Sequence, residues 1–179
     1  IDSMPEKYCP KLTNEWTIGV IPGPQPTPEY LKPEYLKTLT EYEYEVNFNS
    51  ARTGIRLNGP IPQWVREDGG EAGLHPSNIH DNAYAVGTLD LTGDQSILLG
   101  PDGPSLGGFV CSVTTAKGEM WKLGQLHPGD KVHFRLLDLD QAKEIREAEE
   151  ANLRHEHQEV VLPEQKDLDY HYAILAEET

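Results

Sequence analysis

Apolar residues in this chain come in short runs, several of them with period two, punctuated by glycine and proline. Trp16-Thr17-Ile18-Gly19-Val20-Ile21 makes a short strand that Pro22-Gly23-Pro24 stops. Pro33 suits the first position of a helix, where its missing N–H costs nothing, and Tyr35, Leu36 and Leu39 then fall on one face. Tyr44-Glu45-Val46-Asn47-Phe48 alternates like a half-buried strand. Ile55-Arg56-Leu57 resumes beyond a small polar turn, which predicts a hairpin. Residues 84–91, 97–99, 109–115 and 132–136 supply further strands, and Glu119-Met120-Trp121-Lys122-Leu123 a second short helix. Closely spaced short strands with two small helices predict a mainly β fold, a barrel or a sandwich.

Two stretches do not fit this rhythm. Residues 61–82 lose all period and fill with Gly, Pro, Asn, His and charge, a long irregular segment of the kind a compact domain keeps for a task. Pro101-Asp102-Gly103-Pro104-Ser105-Leu106-Gly107-Gly108 joins two apolar runs. Its paired glycines leave a backbone that another backbone, or a flat ligand, can approach closely.

Beyond Leu139 the pattern changes again. Residues 141–157 are rich in Ala, Glu, Lys and Arg with little to bury, which predicts an exposed helix, broken at Val160-Val161-Leu162-Pro163. Tyr170-His171-Tyr172-Ala173-Ile174-Leu175 reads as the start of another strand. The expected organisation is an irregular arm over 1–15, a β body over 16–139 and an acidic connector over 140–179. The chain starts at Ile1 and stops on an apolar run, so it reads as a piece of something larger.

Charge sharpens this division. The net charge is −15, and residues 138–179 alone hold 13 acids against 4 bases. So acidic a chain argues against a nucleic-acid or anionic-membrane partner. No apolar stretch reaches the length of a membrane span, and the two cysteines, Cys9 and Cys111, give no disulfide framework. A cytoplasmic protein is expected.

The familiar chemistries are missing. There is no GxSxG, no P-loop lysine and no Cys-x-x-Cys. His155 and His157 sit two apart on a predicted helix, where they do not face each other, and His127 and His133 have no ligand cluster in the sequence, so no metal site is expected. Three polar loops at strand ends remain: residues 49–54, 75–81 and 102–108. Their amides, hydroxyls, carboxylates and bare backbone suit a small planar polar molecule, provided they meet at one mouth of the barrel. Arg52 and Arg56 read as partners for the many acids.

The same loops carry a family resemblance. Asn49-Ser50-Ala51-Arg52-Thr53-Gly54-Ile55-Arg56-Leu57-Asn58-Gly59-Pro60, His75-Pro76-Ser77-Asn78-Ile79-His80-Asp81, Asp102-Gly103-Pro104-Ser105-Leu106-Gly107-Gly108-Phe109-Val110 and Leu126-His127-Pro128-Gly129-Asp130 resemble, in order and spacing, the carboxyltransferase region of the urea carboxylase and urea amidolyase family. The resemblance implies a cyclophilin-like β-barrel forming half of a carboxyltransferase. A companion carboxyltransferase domain and a biotin carrier domain would follow it, with a biotin carboxylase that uses ATP upstream. It also implies transfer of a carboxyl group from N-carboxybiotin to urea, giving allophanate, with the biotin nitrogen serving as base.

Urea offers four N–H donors and one acceptor oxygen in a plane. Asn78, which can accept and donate, is the first candidate for recognising it, with Ser105 and Asp102 beside it as catalytic candidates. Asp81, His75, Leu106, Gly107, Gly108, Asn49 and Arg52 complete the expected substrate site, the glycines leaving room for a flat ring. Two alternatives stay open. One is guanidine or another urea-like amide as acceptor. The other is a non-catalytic cyclophilin-like binding or scaffolding module, or a prolyl isomerase by fold analogy alone.

Overall fold

Strands form where the sequence alternates and turn residues leave it uninterrupted. The computed structural model describes residues 9–25, 27–67 and 69–161, with side chains as far as 154. Its strands are β1 (Glu15–Pro22), β2 (Tyr44–Val46), β3 (Gly54–Asn58), β4 (Asn78–Ala83), β5 (Thr88–Thr92), β6 (Gln95–Leu99), β7 (Leu106–Thr115) and β8 (Lys131–Leu136). Its helices are α1 (Glu34–Glu41), α2 (Met120–Leu123) and α3 (Leu139–Val161). The ladder runs β1-β8-β2-β3-β6-β5-β7 and returns to β1, so seven strands close into a barrel. Every pairing is antiparallel except β1 with β8. The eighth strand, β4, lies outside the ring, bonded to the beginning of β7.

Alternation decides what the barrel wall shows on each side. Ile18, Val20, Leu57, Leu89, Leu91, Leu98, Val110 and Phe134 point inward and form the core, joined by Tyr35 and Leu39 of α1. Full burial of each such side chain is worth about 1.5–3 kcal/mol. Tyr35 spends its hydroxyl on Ser112 Oγ at 2.9 Å, so the buried ring leaves no orphaned polar atom there. The residues between the inward ones, among them Gly54, Arg56, Asp90, Ile97 and Leu99, face outward. Beside β1, the buried Glu119 carboxylate accepts the Gly19 N–H at 3.0 Å and the Lys122 ammonium at 2.5 Å, which fastens the α2 turn to the barrel.

The mainly β barrel with two short helices and a helical C-terminal segment is the fold expected, with local differences. Residues 78–83, expected to be irregular, form β4 because the start of β7 offers them a ladder. The strand expected from Tyr84 begins only at Thr88, since Gly87 takes φ +82° and turns its N–H to the Leu99 carbonyl at 2.8 Å. β2 stops at Val46, after which the Asn47 N–H still reaches the Arg56 carbonyl at 2.8 Å. α3 continues through Val160 and Val161, where a break was expected. The strand expected at 170–175 lies outside the described residues.

Leu12–Arg146 forms one compact unit. The described part of the other unit includes helical residues 147–161, with Arg154 placed 3.4 Å from Glu150 one turn away. Among the described residues, no helix is long and apolar enough to cross a membrane.

Candidate functional site

The loop 49–54 and the loop after β6 are laid backbone on backbone. Gly100 N–H donates to the Thr53 carbonyl and Asp102 N–H to the Arg52 carbonyl, each at 3.2 Å. A Cβ on Gly100 would lie 2.0 Å from the Arg52 carbonyl oxygen, so only glycine permits this approach. The Arg52 guanidinium then clasps the Asp102 carboxylate in two bonds, Nε at 2.6 Å and Nη2 at 3.0 Å. That hydrogen bonding holds the Asp102 carboxyl below the usual range and raises Arg52 further.

The third loop is locked from within. His75 Nδ1 accepts the Ser77 N–H at 3.2 Å, which leaves the ring proton on Nε2, 3.4 Å from Asp94. Ser77 Oγ lies 3.0 Å from Nδ1 and accepts the Gly93 N–H at 3.0 Å, while Trp64 donates to Asp94 at 3.2 Å and stands edge-on to the imidazole. Ser77 is fully buried, so this Asp94–His75–Ser77 row fixes a loop and offers no nucleophile. Asn78 follows, with its backbone N–H and its side-chain amide both donating to the His75 carbonyl, at 2.8 and 3.3 Å. It stands opposite Phe109 in the β4–β7 ladder.

Between loops 49–54 and 104–109 a cleft of about 310 Å³ opens on the outer wall of the barrel. Ile97, Leu99 and Phe109 give it an apolar floor; Asn49, Arg56, Asp90 and Thr92 give it polar edges; Tyr84, Leu106 and Gly107 form one side. Asp90 is the unusual member. It is only 3% exposed, and its carboxylate is held by the Thr92 hydroxyl at 2.9 Å and by Tyr84, whose oxygen also accepts the Phe109 N–H at 2.8 Å. No cation pairs with it among the described residues. Burial pushes the Asp90 carboxyl up, against those two hydrogen bonds. Burial likewise raises the Tyr84 phenol, helped by the charge of Asp90, and lifts the neighbouring Cys111 thiol to about 12.

The expected site residues divide accordingly. Asn49, Leu106 and Gly107 line the cleft. Arg52 and Asp102 are turned to each other, Ser105 is exposed and gives its carbonyl to the Tyr84 N–H at 2.9 Å, and Asp81 is exposed on β4. The three loops do not meet at one mouth of the barrel: loop 49–54 lies at the Leu99 end of β6 with the 100–102 backbone, His75 and Ser77 lie at its other end against Asp94 and Gly93, and the cleft runs along the outer wall between. The room expected at the glycine pair is filled by the chain itself. A Cβ on Gly107 would lie 2.4 Å from the Tyr84 ring, and one on Gly108 2.9 Å from the Ile79 carbonyl oxygen.

Three other expectations change. Arg56 makes no ion pair among the described residues and lines the cleft. His133, expected to stand apart from other ligands, has Nε2 at 3.5 Å from both Glu15 and Glu43. The atoms of this trio lie within 4.8 Å of one another, and Lys131, 3.8 Å from Glu43, already brings positive charge there. Tyr84, Asp90 and Thr92 were not foreseen as site residues. A carboxylate at the polar phase of an alternating strand reads as solvent-facing, and only the Tyr84 cover reveals otherwise.

Comparison with known proteins adds the relationships. The family model described as carboxyltransferase domain, subdomain A and B, matches residues 2–136. Urea amidolyase of Lachancea kluyveri is 44% identical over 149 residues, 82% of this chain and 8% of that protein. Urea amidolyase of Saccharomyces cerevisiae is 40% identical over 154 residues, 85% of this chain and 8% of that protein. Among solved structures, urea carboxylase of Kluyveromyces lactis superposes with a TM-score of 0.80 at 43% identity, over 85% of this chain and 14% of the other. The chain thus spans less than a tenth of the length of these curated relatives.

Proposed function

Because this chain belongs to the carboxyltransferase domain family, subdomains A and B, we propose that it builds part of the site where a biotin-dependent urea carboxylase passes a carboxyl group to urea, giving allophanate. The observation that carries this reading is the 44% identity to a urea amidolyase over 82% of the chain.

The cleft suits such a partner. Its volume is at the small end of ligand pockets, and its flat apolar floor with polar edges fits a planar ureido group. Biotin, carried on a separate carrier domain and carboxylated by a biotin carboxylase at the expense of ATP, supplies the carboxyl group. This chain's residues bind and orient. Asn49 presents an amide at the rim, while Leu106 and Gly107 form the side against which a flat ligand rests. Asn78 brings an amide oxygen with no hydrogen bond among the described residues to the same face, beside Phe109, where it accepts a urea N–H. Ser105 adds an exposed hydroxyl beside the cleft, whereas the Asp81 carboxylate lies against Gly108 on the other side of the ladder and takes no part in holding the ligand. His75 holds the turn that presents Asn78, the Arg52–Asp102 clasp fixes the cleft rim, and Gly108 lets β4 close on β7. Positioning of this kind is worth several kcal/mol of a bimolecular barrier. A companion carboxyltransferase domain completes the site.

The test uses the full-length protein containing this segment. ATP turnover stimulated by urea, and far less by guanidine, supports the reading. A carboxylase that answers to guanidine alone, or to neither, overturns it.

A further inference from the structure

We propose that Arg56 and Asp90 are the two poles of a subsite for an N-carboxylated ureido group, with N–H donors at one end and a carboxylate at the other. The inference rests on the carboxyltransferase reading above and names what its cleft selects. The geometry comes from strand register. Arg56 of β3 and Asp90 of β5 both stand opposite Ile97 of β6, one on each side, so the three form a row across adjacent strands. Two interstrand steps separate the poles, about 10 Å between Cα positions. All three line the cleft.

The two poles are chemically opposite and neither is paired with an opposite charge among the described residues; Asp90 keeps acceptor sites beyond those taken by Thr92 and Tyr84. Asp90 is buried with only hydroxyl partners, an arrangement that costs stability and persists where a site uses it. Its lone pairs suit the N–H groups of a urea-type amide. Arg56 is exposed, and its guanidinium makes no hydrogen bond or ion pair among the described residues, leaving its planar fork available for a carboxylate. Ile97 between them offers a flat apolar surface for the ureido plane. A neutral urea engages only the Asp90 pole; adding a carboxyl group to its nitrogen supplies the charge that Arg56 reads. The cleft therefore prefers the carboxylated ureido group to the uncarboxylated one. Such a group exists both on the donor ring and on the carboxylated acceptor.

The experiment is calorimetric titration of the full-length enzyme with allophanate, together with KM for urea in ATP turnover, for the wild type, Arg56→Ala, Arg56→Lys and Asp90→Asn. Arg56→Ala should raise the Kd for allophanate about tenfold or more, a larger factor than its effect on KM for urea, and Arg56→Lys should restore part of it. Asp90→Asn should raise both. Equal changes in both constants for Arg56→Ala, or no change in Kd, overturn the proposal. If Asp90→Asn does not fold, Arg56→Glu at its exposed position still decides, because charge reversal must abolish allophanate binding. Allophanate competing with urea assigns the subsite to the carboxylated acceptor; allophanate competing with free biotin assigns it to the donor ring, and both uphold the two poles. Wild-type enzyme without urea-dependent turnover removes the function and this inference together. Normal wild-type turnover with an insensitive Arg56→Ala removes the inference alone.

Discussion

Arg52 and Asp102, fifty residues apart, meet as a bidentate pair on the surface, with Nε at 2.6 Å and Nη2 at 3.0 Å from the two carboxylate oxygens. Each occupies the other's charge, and the pair ties loop 49–54 to the loop after β6. Arg52→Ala, Asp102→Ala and the double variant should therefore lower kcat/KM by the same modest factor, a few-fold. A single variant much worse than the double would mark that residue as a direct contact with substrate.

Gly100 and Gly107 are both crowded, but by different neighbours. Alanine at 100 meets the Arg52 backbone at 2.0 Å, whereas alanine at 107 meets the Tyr84 ring, which can swing aside. Gly100→Ala should destabilise by at least ~2 kcal/mol. Gly107→Ala should cost less stability yet raise KM for urea, since it displaces the cover of Asp90. Thermal unfolding combined with steady-state kinetics separates the two.

Burial holds the Asp90 carboxyl above its ordinary range, so the folded chain keeps a proton that the unfolded chain releases near pH 3.9, roughly. The associated stability is fully present below that pH and is lost as pH rises through the higher folded value. Asp90→Asn removes this dependence. Relative to wild type, the variant should gain in Tm between pH 4 and pH 7, as followed by circular dichroism. A difference that stays constant over that interval would mean the buried carboxylate carries no penalty.

Asn78→Ala removes an amide oxygen from the face beside Phe109 and one hydrogen bond to the His75 carbonyl. The backbone N–H keeps its own bond to that carbonyl, so the turn should survive at a cost of about 1 kcal/mol. Urea-dependent turnover should fall at least tenfold. Unchanged kinetics would take Asn78 out of the site.

Much of the barrel was legible because its strands carry the inward–outward alternation that burial demands, as in Val132-His133-Phe134. β4 was not, because Asn78-Ile79-His80-Asp81-Asn82-Ala83 has little intrinsic preference for a strand and is recruited by β7. The loops were recognisable by their turn residues and family likeness, but the use of their glycines was not. Gly107 reads the same whether a ligand or the Tyr84 ring fills the space. Asp90 was hidden for a related reason. Period two assigns it to the outer wall, and whether an outer wall is wet depends on what a distant segment lays over it.

The parallel pairing of β1 with β8 also has a kinetic meaning. About a hundred residues separate the end of β1 from the start of β8. During synthesis β1 must wait roughly 5–20 s for that partner to be made. Until β7 is made, shortly before β8, the strand Trp16 to Ile21 has both edges unbonded and an apolar face, the profile of a segment that seeks other chains. Barrel closure is thus the last event in making this domain, and its long-range pairing favours slow folding. Growth at low temperature, or a chaperone that shields β1, should raise the soluble yield more than any change on the finished surface.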